Sequence, residues 1–138
     1  MIKLIDILNE AKQVGTLYHY TENWLLEQII ESNTLRAPVS FTRSKDKKTV
    51  FWIGAECALV VDGDKLSTAY KIRPYQSYDE EGRFFDEMEE RVDKNITNLN
   101  KYLIKVILYR SEDTRRSIFT VSDIESLLKE KNIPYEIV

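Results

Sequence analysis

The sequence predicts an α+β domain: a split, mainly antiparallel β-sheet with flanking helices, spanning residues 1–138 as one unit. Three observations lead there. Helical hydrophobic spacing is concentrated near residues 2–13, 21–32 and 122–131. Between the second and third of these, short runs rich in Val, Ile, Thr and aromatic residues follow one another, separated by polar turns. Strands and helices do not alternate regularly, which disfavours a doubly wound parallel sheet, and there is no G-x-G-x-x-G or P-loop. A length of 138 residues suits a single domain.

Each element has its own signal. Ile2, Leu4, Ile5, Ile7 and Leu8 share a broad face, predicting an amphipathic helix over 2–13 that stops at Gly15. Residues 16–20, Thr-Leu-Tyr-His-Tyr, have strand composition. Thr21 resembles an N-cap with Glu22 in the first turn, and Trp24, Leu25, Gln28 and Ile29 share a face, predicting a helix over 21–32. Asn33 suits a left-handed C-terminal position. Residues 39–42, 49–53 and 57–62 read as strands, with the basic loop 43–48 between the first two. Asp62-Gly63-Asp64 turns into a short helix near 65–67, and 69–73 reads as a strand closed by Pro74. Residues 75–85 have no clear period and read as a long loop, a segment type that is often functional in small domains. Strands are expected at 87–92 and 103–109, with a polar connection around 93–100. Ser122 and Glu125 have capping-box spacing for a helix to about Lys131, and 134–138 reads as a final strand.

Composition excludes several functions. A formal net charge of −3 makes a poor nonspecific nucleic-acid binder, because that affinity comes from Lys and Arg neutralising phosphates. The single cysteine, Cys57, cannot form an internal disulfide, and its apolar neighbours Ala58–Val61 predict a buried packing residue. One His and one Cys supply no zinc cluster, so no metal is expected. Lys3, Asp6, Glu10 and Lys12 interrupt the N-terminal stretch, and the longest apolar runs are strand-sized. The expectation is a cytoplasmic protein with no membrane contact.

Three segments carry chemistry-bearing groups. His19 is the only histidine and ends a strand just before a helix. It reads either as an ordinary strand histidine or as a rigidly held ligand group. Ser40 and Thr42 share one strand face, Phe41 takes the other, and Arg43 opens the basic loop; an arginine there suits a phosphate, and an ordinary basic turn is the competing reading. In Asp86-Glu87-Met88-Glu89-Glu90-Arg91-Val92, a strand would place Glu87 and Glu89 on one face as a carboxylate pair and Glu90 on the other. The same run also fits a solvated acidic helix.

Taken together and in order, these segments resemble the ADP-ribosyltransferase-like superfamily. Leu17-Tyr18-His19-Tyr20-Thr21, followed by 24–35, is similar to the "His-x-Thr, helix, then G/N-x-L" opening of DNA-targeting bacterial ADP-ribosyltransferase toxins. Ser40-Phe41-Thr42-Arg43 resembles the middle motif of small phage-type members, and 58–66, 70–75 and 87–92 extend the likeness over roughly 16–109. The N-terminal helix and the tail after about 110 lie outside it. The middle motif, Ser/Thr with an Arg, departs from the superfamily's His-Tyr-Glu and Arg-Ser-Glu signatures.

The resemblance implies NAD⁺ as substrate and no metal. Of Glu87, Glu89 and Glu90, the resemblance favours Glu89 as the catalytic carboxylate, with Glu87 orienting the acceptor. His19 would hold the cofactor ribose, Ser40 and Thr42 would line the nicotinamide end, and Arg43 would pair with the pyrophosphate. Tyr20 or Trp52 would stack on the nicotinamide. The acceptor would be a protein or a nucleic acid, and the source a phage or bacterial effector. The alternative is a non-catalytic protein-interaction module on the same scaffold, with the tyrosine-rich 75–85 loop as its contact surface. A small nuclease is disfavoured by the lack of a second histidine or a metal triad.

Overall fold

The computed structural model describes residues 14–44, 55–74, 77–78, 84–85, 89–110 and 120–138. The expected helix at 2–13, the expected strand at 49–53, Trp52 and Glu87 lie outside them. The element order is β1 (Thr16–Thr21), α1 (Asn23–Ser32), β2 (Val39–Thr42), β3 (Cys57–Asp62), α2 (Gly63–Ser67), β4 (Arg73–Pro74), β5 (Ser77–Tyr78), β6 (Phe84–Phe85), β7 (Glu89–Val92), a 3₁₀ turn (Leu99–Lys101), β8 (Leu103–Leu108), α3 (Val121–Glu130) and β9 (Tyr135–Ile137). Seven strands form one mixed sheet in the order β4-β7-β2-β1-β3-β8-β9, and β5 and β6 form a separate two-stranded pair. The described pairings in the sheet are antiparallel except β8 with β9. The α+β class and the mainly antiparallel sheet are as expected from the sequence.

The sheet has two halves. In the larger, β3 is central. It pairs with β1 through six registered residues, from Thr16↔Asp62 to Thr21↔Cys57, and with β8 on its other side. Five consecutive apolar residues, Cys57–Val61, are buried, as a strand covered on both faces requires. In the smaller half, β2 pairs with β7 over four residues, from Val39↔Val92 to Thr42↔Glu89. The chain entering β2 also leans towards the β7 side. Leu35 and Ile96 exchange both backbone hydrogen bonds, and Asn33 and Asn100 are tied by bonds of 2.8 and 2.9 Å. Between the halves, β1 and β2 are registered at Tyr18↔Thr42 alone among the described residues. The sheet is continuous, with this thin seam where a split was expected.

All three described helices pack on one face. Leu26 and Ile30 of α1, Leu66 of α2, and Ile124 and Leu128 of α3 join Leu17, Phe41, Leu59, Val61, Val106 and Leu108 in the main core. A smaller cluster of Tyr20, Ala55, Ala58, Val60 and Ile107, flanked by Tyr18 and Tyr109, occupies the opposite face. Gly63 fits a close approach: its N–H donates to Gly15 O at 2.8 Å, and a Cβ there would collide with that same carbonyl.

Several local expectations shift. Thr21 ends β1 rather than capping α1, because its carbonyl accepts from Glu56 N–H and the Cys57 thiol; Glu22 takes the N-cap position without a side-chain bond. The buried face of α1 is Asn23, Leu26 and Ile30, and Trp24 is 39% exposed. The aliphatic i, i+4 pair takes the core, while the indole N–H turns outward to Glu22. The capping box of α3 is Thr120 with Asp123, two residues earlier than Ser122 and Glu125. Residues 69–72 are not strand, because Ala69 and Tyr70 bond back to Leu66 at the end of α2. Within 75–85, Ser77–Tyr78 pairs with Phe84–Phe85.

Candidate functional site

The seam between the half-sheets gathers the polar groups. His19 leaves β1 on the helix-covered face, where its ring meets Phe41 edge-on at 5.8 Å between centroids. Its Nδ1 lies 2.7 Å from the Ser40 carbonyl oxygen. A carbonyl only accepts, so Nδ1 carries the proton and Nε2 is the acceptor of the neutral ring. Burial pushes the imidazole below its ordinary value, outweighing the Ser40 bond, which favours the protonated form. A side-chain bond thus crosses the seam just past its registered pair.

An open groove of about 680 Å³ lies beside this bond. His19 and Thr21 line it from β1, and Thr34, Leu35 and Arg36 line it from the segment entering β2. Leu25, Gln28, Ile29, Glu31 and Ser32 of α1 are further lining residues, so apolar surface occurs together with polar and charged groups. The groove is thus lined by β1, α1 and the connection from α1 to β2. The sequence signal for it was the shared face of Leu25, Gln28 and Ile29, used there only to predict the helix.

Strand alternation sends the next residues to the other face. The β2–β7 register puts Ser40 opposite Arg91 and Thr42 opposite Glu89, so these four share a face with Tyr18 and Tyr20. Ser40 Oγ donates to Glu89 Oε2 at 3.1 Å, and an Arg91 Nη donates to the same oxygen at 3.1 Å. The Glu89 side chain is only 10% exposed. Thr42 is buried, and its hydroxyl accepts from Ser44 N–H. Tyr20 donates through its hydroxyl to Ser44 O and stacks with both Tyr18 and Tyr109.

Glu90 lies opposite Phe41, on the face that His19 uses. Its carboxylate is buried and pairs with Arg43 at 3.3 Å. Burial raises its pKa, and the Arg43 charge offsets part of that rise. Arg43, expected to serve a pyrophosphate, is engaged here.

The expected site residues thus form one chain of contacts over three adjacent strands: His19 to Ser40, and Ser40 to Glu89. They do not line a single face. His19 and Arg43 lie on the helix-covered side, and Tyr20, Ser40, Thr42 and Glu89 on the other. Arg91 was not assigned a role from the sequence, and Glu90, one of the three carboxylates considered there, lies on the face opposite Glu89. The E-x-R spacing of Glu89 and Arg91 on one strand face was the available signal for the first.

Cys57 is buried at the β1–β3 join, and desolvation, with Glu56 and Glu22 nearby, pushes its thiol well up. That suits packing rather than nucleophilic chemistry. Among the described residues, no group of three or more His, Cys, Asp or Glu is placed to hold a metal ion, and no helix is long and apolar enough to cross a membrane. No protein-family model matches the chain, and a search of curated proteins finds no match.

Proposed function

We propose that this chain is an NAD-dependent ADP-ribosyltransferase with an ADP-ribosyltransferase-like fold, acting on a protein or nucleic-acid acceptor. The observation that carries the reading is the hydrogen-bonded series His19–Ser40–Glu89 across β1, β2 and β7. In the reaction the bond between nicotinamide and ribose C1′ breaks. Its electron pair leaves with nicotinamide, and positive charge develops on the ribose. A carboxylate held close to that charge stabilises it in the transition state, as in glycoside hydrolysis. Glu89 fills this role, kept in place by the Ser40 hydroxyl. His19, on the other face, would act on this site through its Nδ1–H bond to the Ser40 carbonyl. An acceptor nucleophile then bonds to C1′ and loses its proton.

A non-catalytic binding module is the second reading, and one observation favours it: His19 and Glu89 lie on opposite faces of the sheet. Incubation with NAD⁺ separates the two. The transferase reading expects nicotinamide release by the wild-type protein and a fall of ~10²-fold or more in Glu89→Gln, the usual scale for losing one strong electrostatic stabiliser. A folded protein that neither binds NAD⁺ nor releases nicotinamide supports the protein-interaction module instead.

A further inference from the structure

Arg91 has no part in the chemistry described so far, yet its guanidinium is placed on the carboxylate that does. Two donors converge on Glu89 Oε2: Ser40 Oγ at 3.1 Å from β2 and an Arg91 nitrogen at 3.1 Å from β7 itself. A carboxylate held by a single hydroxyl can swing about its Cγ–Cδ bond. Two donors approaching one oxygen from different strands fix the plane of the group, and the direction of Oε1 follows. The pair is well sheltered, with side-chain exposures of 22% for Arg91 and 10% for Glu89. Water therefore screens it less than a surface ion pair.

The neighbouring charges are sorted so that this contact survives. Arg91 lies directly across from Arg73 of β4 in the β4–β7 register. Two cations at such positions would repel each other. Asp93, two residues after Arg91, takes Arg73 through two hydrogen bonds of 2.7 and 3.1 Å. Asp93 is held below the usual carboxylate range, chiefly by its bond to Arg73. Arg73 is thus hydrogen-bonded to Asp93 near the sheet edge and Arg91 to Glu89 next to the seam, with the Arg91 charge also favouring ionised Asp93.

We propose that Arg91 is a positioning residue, whose guanidinium together with the Ser40 hydroxyl orients the Glu89 carboxylate towards the ribose of NAD⁺. This rests on the transferase reading. Arg91 would act through Glu89 rather than on the substrate, so its loss should slow the chemical step and leave NAD⁺ affinity alone. Misplacing a catalytic group by about 1 Å costs on the order of 10²-fold in rate. Lysine keeps the charge but lacks the planar fork, so it should restore part of the loss.

The test is steady-state nicotinamide release by wild type, Arg91→Met and Arg91→Lys, with NAD⁺ affinity measured separately by calorimetry and folding checked by thermal melting. The proposal expects kcat to fall ~10²-fold in Arg91→Met and about tenfold in Arg91→Lys, with NAD⁺ affinity within about twofold of wild type in both. If Arg91→Met does not fold, the lysine variant alone decides, because a full wild-type kcat there overturns the proposal. An active wild type with an equally active, folded Arg91→Met variant overturns the role of Arg91 and leaves the transferase reading intact. Weakened NAD⁺ binding with unchanged kcat makes Arg91 a substrate contact and also overturns the proposal. A wild-type protein that releases no nicotinamide overturns the transferase reading and this role with it.

Discussion

The two half-sheets are built on different principles. The half formed by β1, β3, β8 and β9 rests on long ladders and on β3, buried on both faces. The half formed by β4, β7 and β2 has strands of two to four residues, and much of its order comes from side chains: Ser40 and Arg91 on Glu89, Arg43 on Glu90, Arg73 on Asp93. Stability concentrates in the first and polar chemistry in the second. His19 joins them, rooted in one and bonded to the other.

That contrast sets the order of expected effects. Leu59 is fully buried at the centre of the larger half, so Leu59→Ala should cost about 2–5 kcal/mol in urea unfolding. An equal or larger loss from Ser40→Ala would reverse the assignment of stability to the ladders. Ser40→Ala removes the Ser40 Oγ donor to Glu89 Oε2. It should lower nicotinamide release about tenfold or more while costing only ~1 kcal/mol of stability. Thr120→Ala removes the capping-box hydroxyl of α3, away from the seam, and should cost about 1 kcal/mol with turnover unchanged.

The smallest effect is in the pH dependence of stability. The folded state holds the His19 pKa below its ordinary value of 6.5, so between the two values the unfolded chain binds more protons. This contribution is complete above pH 6.5 and is lost as pH falls through the folded value. Glu90 has the opposite sign: its pKa is raised above 4.5, so its contribution is fully present below pH 4.5 and is lost as pH rises through the folded value. Melting curves from pH 7.5 down to 5 should therefore lose a few degrees less in His19→Gln than in wild type. Relative to wild type, Glu90→Gln should gain stability over the same range as pH rises. Parallel curves for all three proteins would show that neither group is held as described.

One strand in each half was fully legible in the sequence. Val39–Thr42 and Cys57–Asp62 were delimited to the residue, since short β-rich runs bounded by turns leave little choice of boundary. The αL position of Asn33 was equally plain, at φ 52°. Alternation also gave the opposed faces of Ser40 and Phe41 and of Glu89 and Glu90. What one strand's pattern cannot give is which face of a neighbouring strand it meets. Placing His19 and Glu89 on opposite faces needed the β1–β2 and β2–β7 registers, and these are long-range facts. The pairing of Arg43 with Glu90 was hidden for the same reason, because the partners are 47 positions apart in sequence and adjacent only through the sheet.

The seam is where the functional account stands or falls, and NAD⁺ titration followed by calorimetry addresses it directly. A ligand at the seam would depend on Glu89 for bond cleavage and on His19 through its bond to the Ser40 carbonyl, which ties β1 to β2. Wild type and Glu89→Gln should bind NAD⁺ with similar affinity, because the carboxylate matters mainly as the bond breaks. His19→Ala should bind at least about tenfold more weakly, the ~1.4 kcal/mol expected from losing one good hydrogen bond. No heat of binding from the folded wild-type protein, or a His19→Ala variant that binds as tightly as wild type, would contradict the assignment of this seam to NAD⁺.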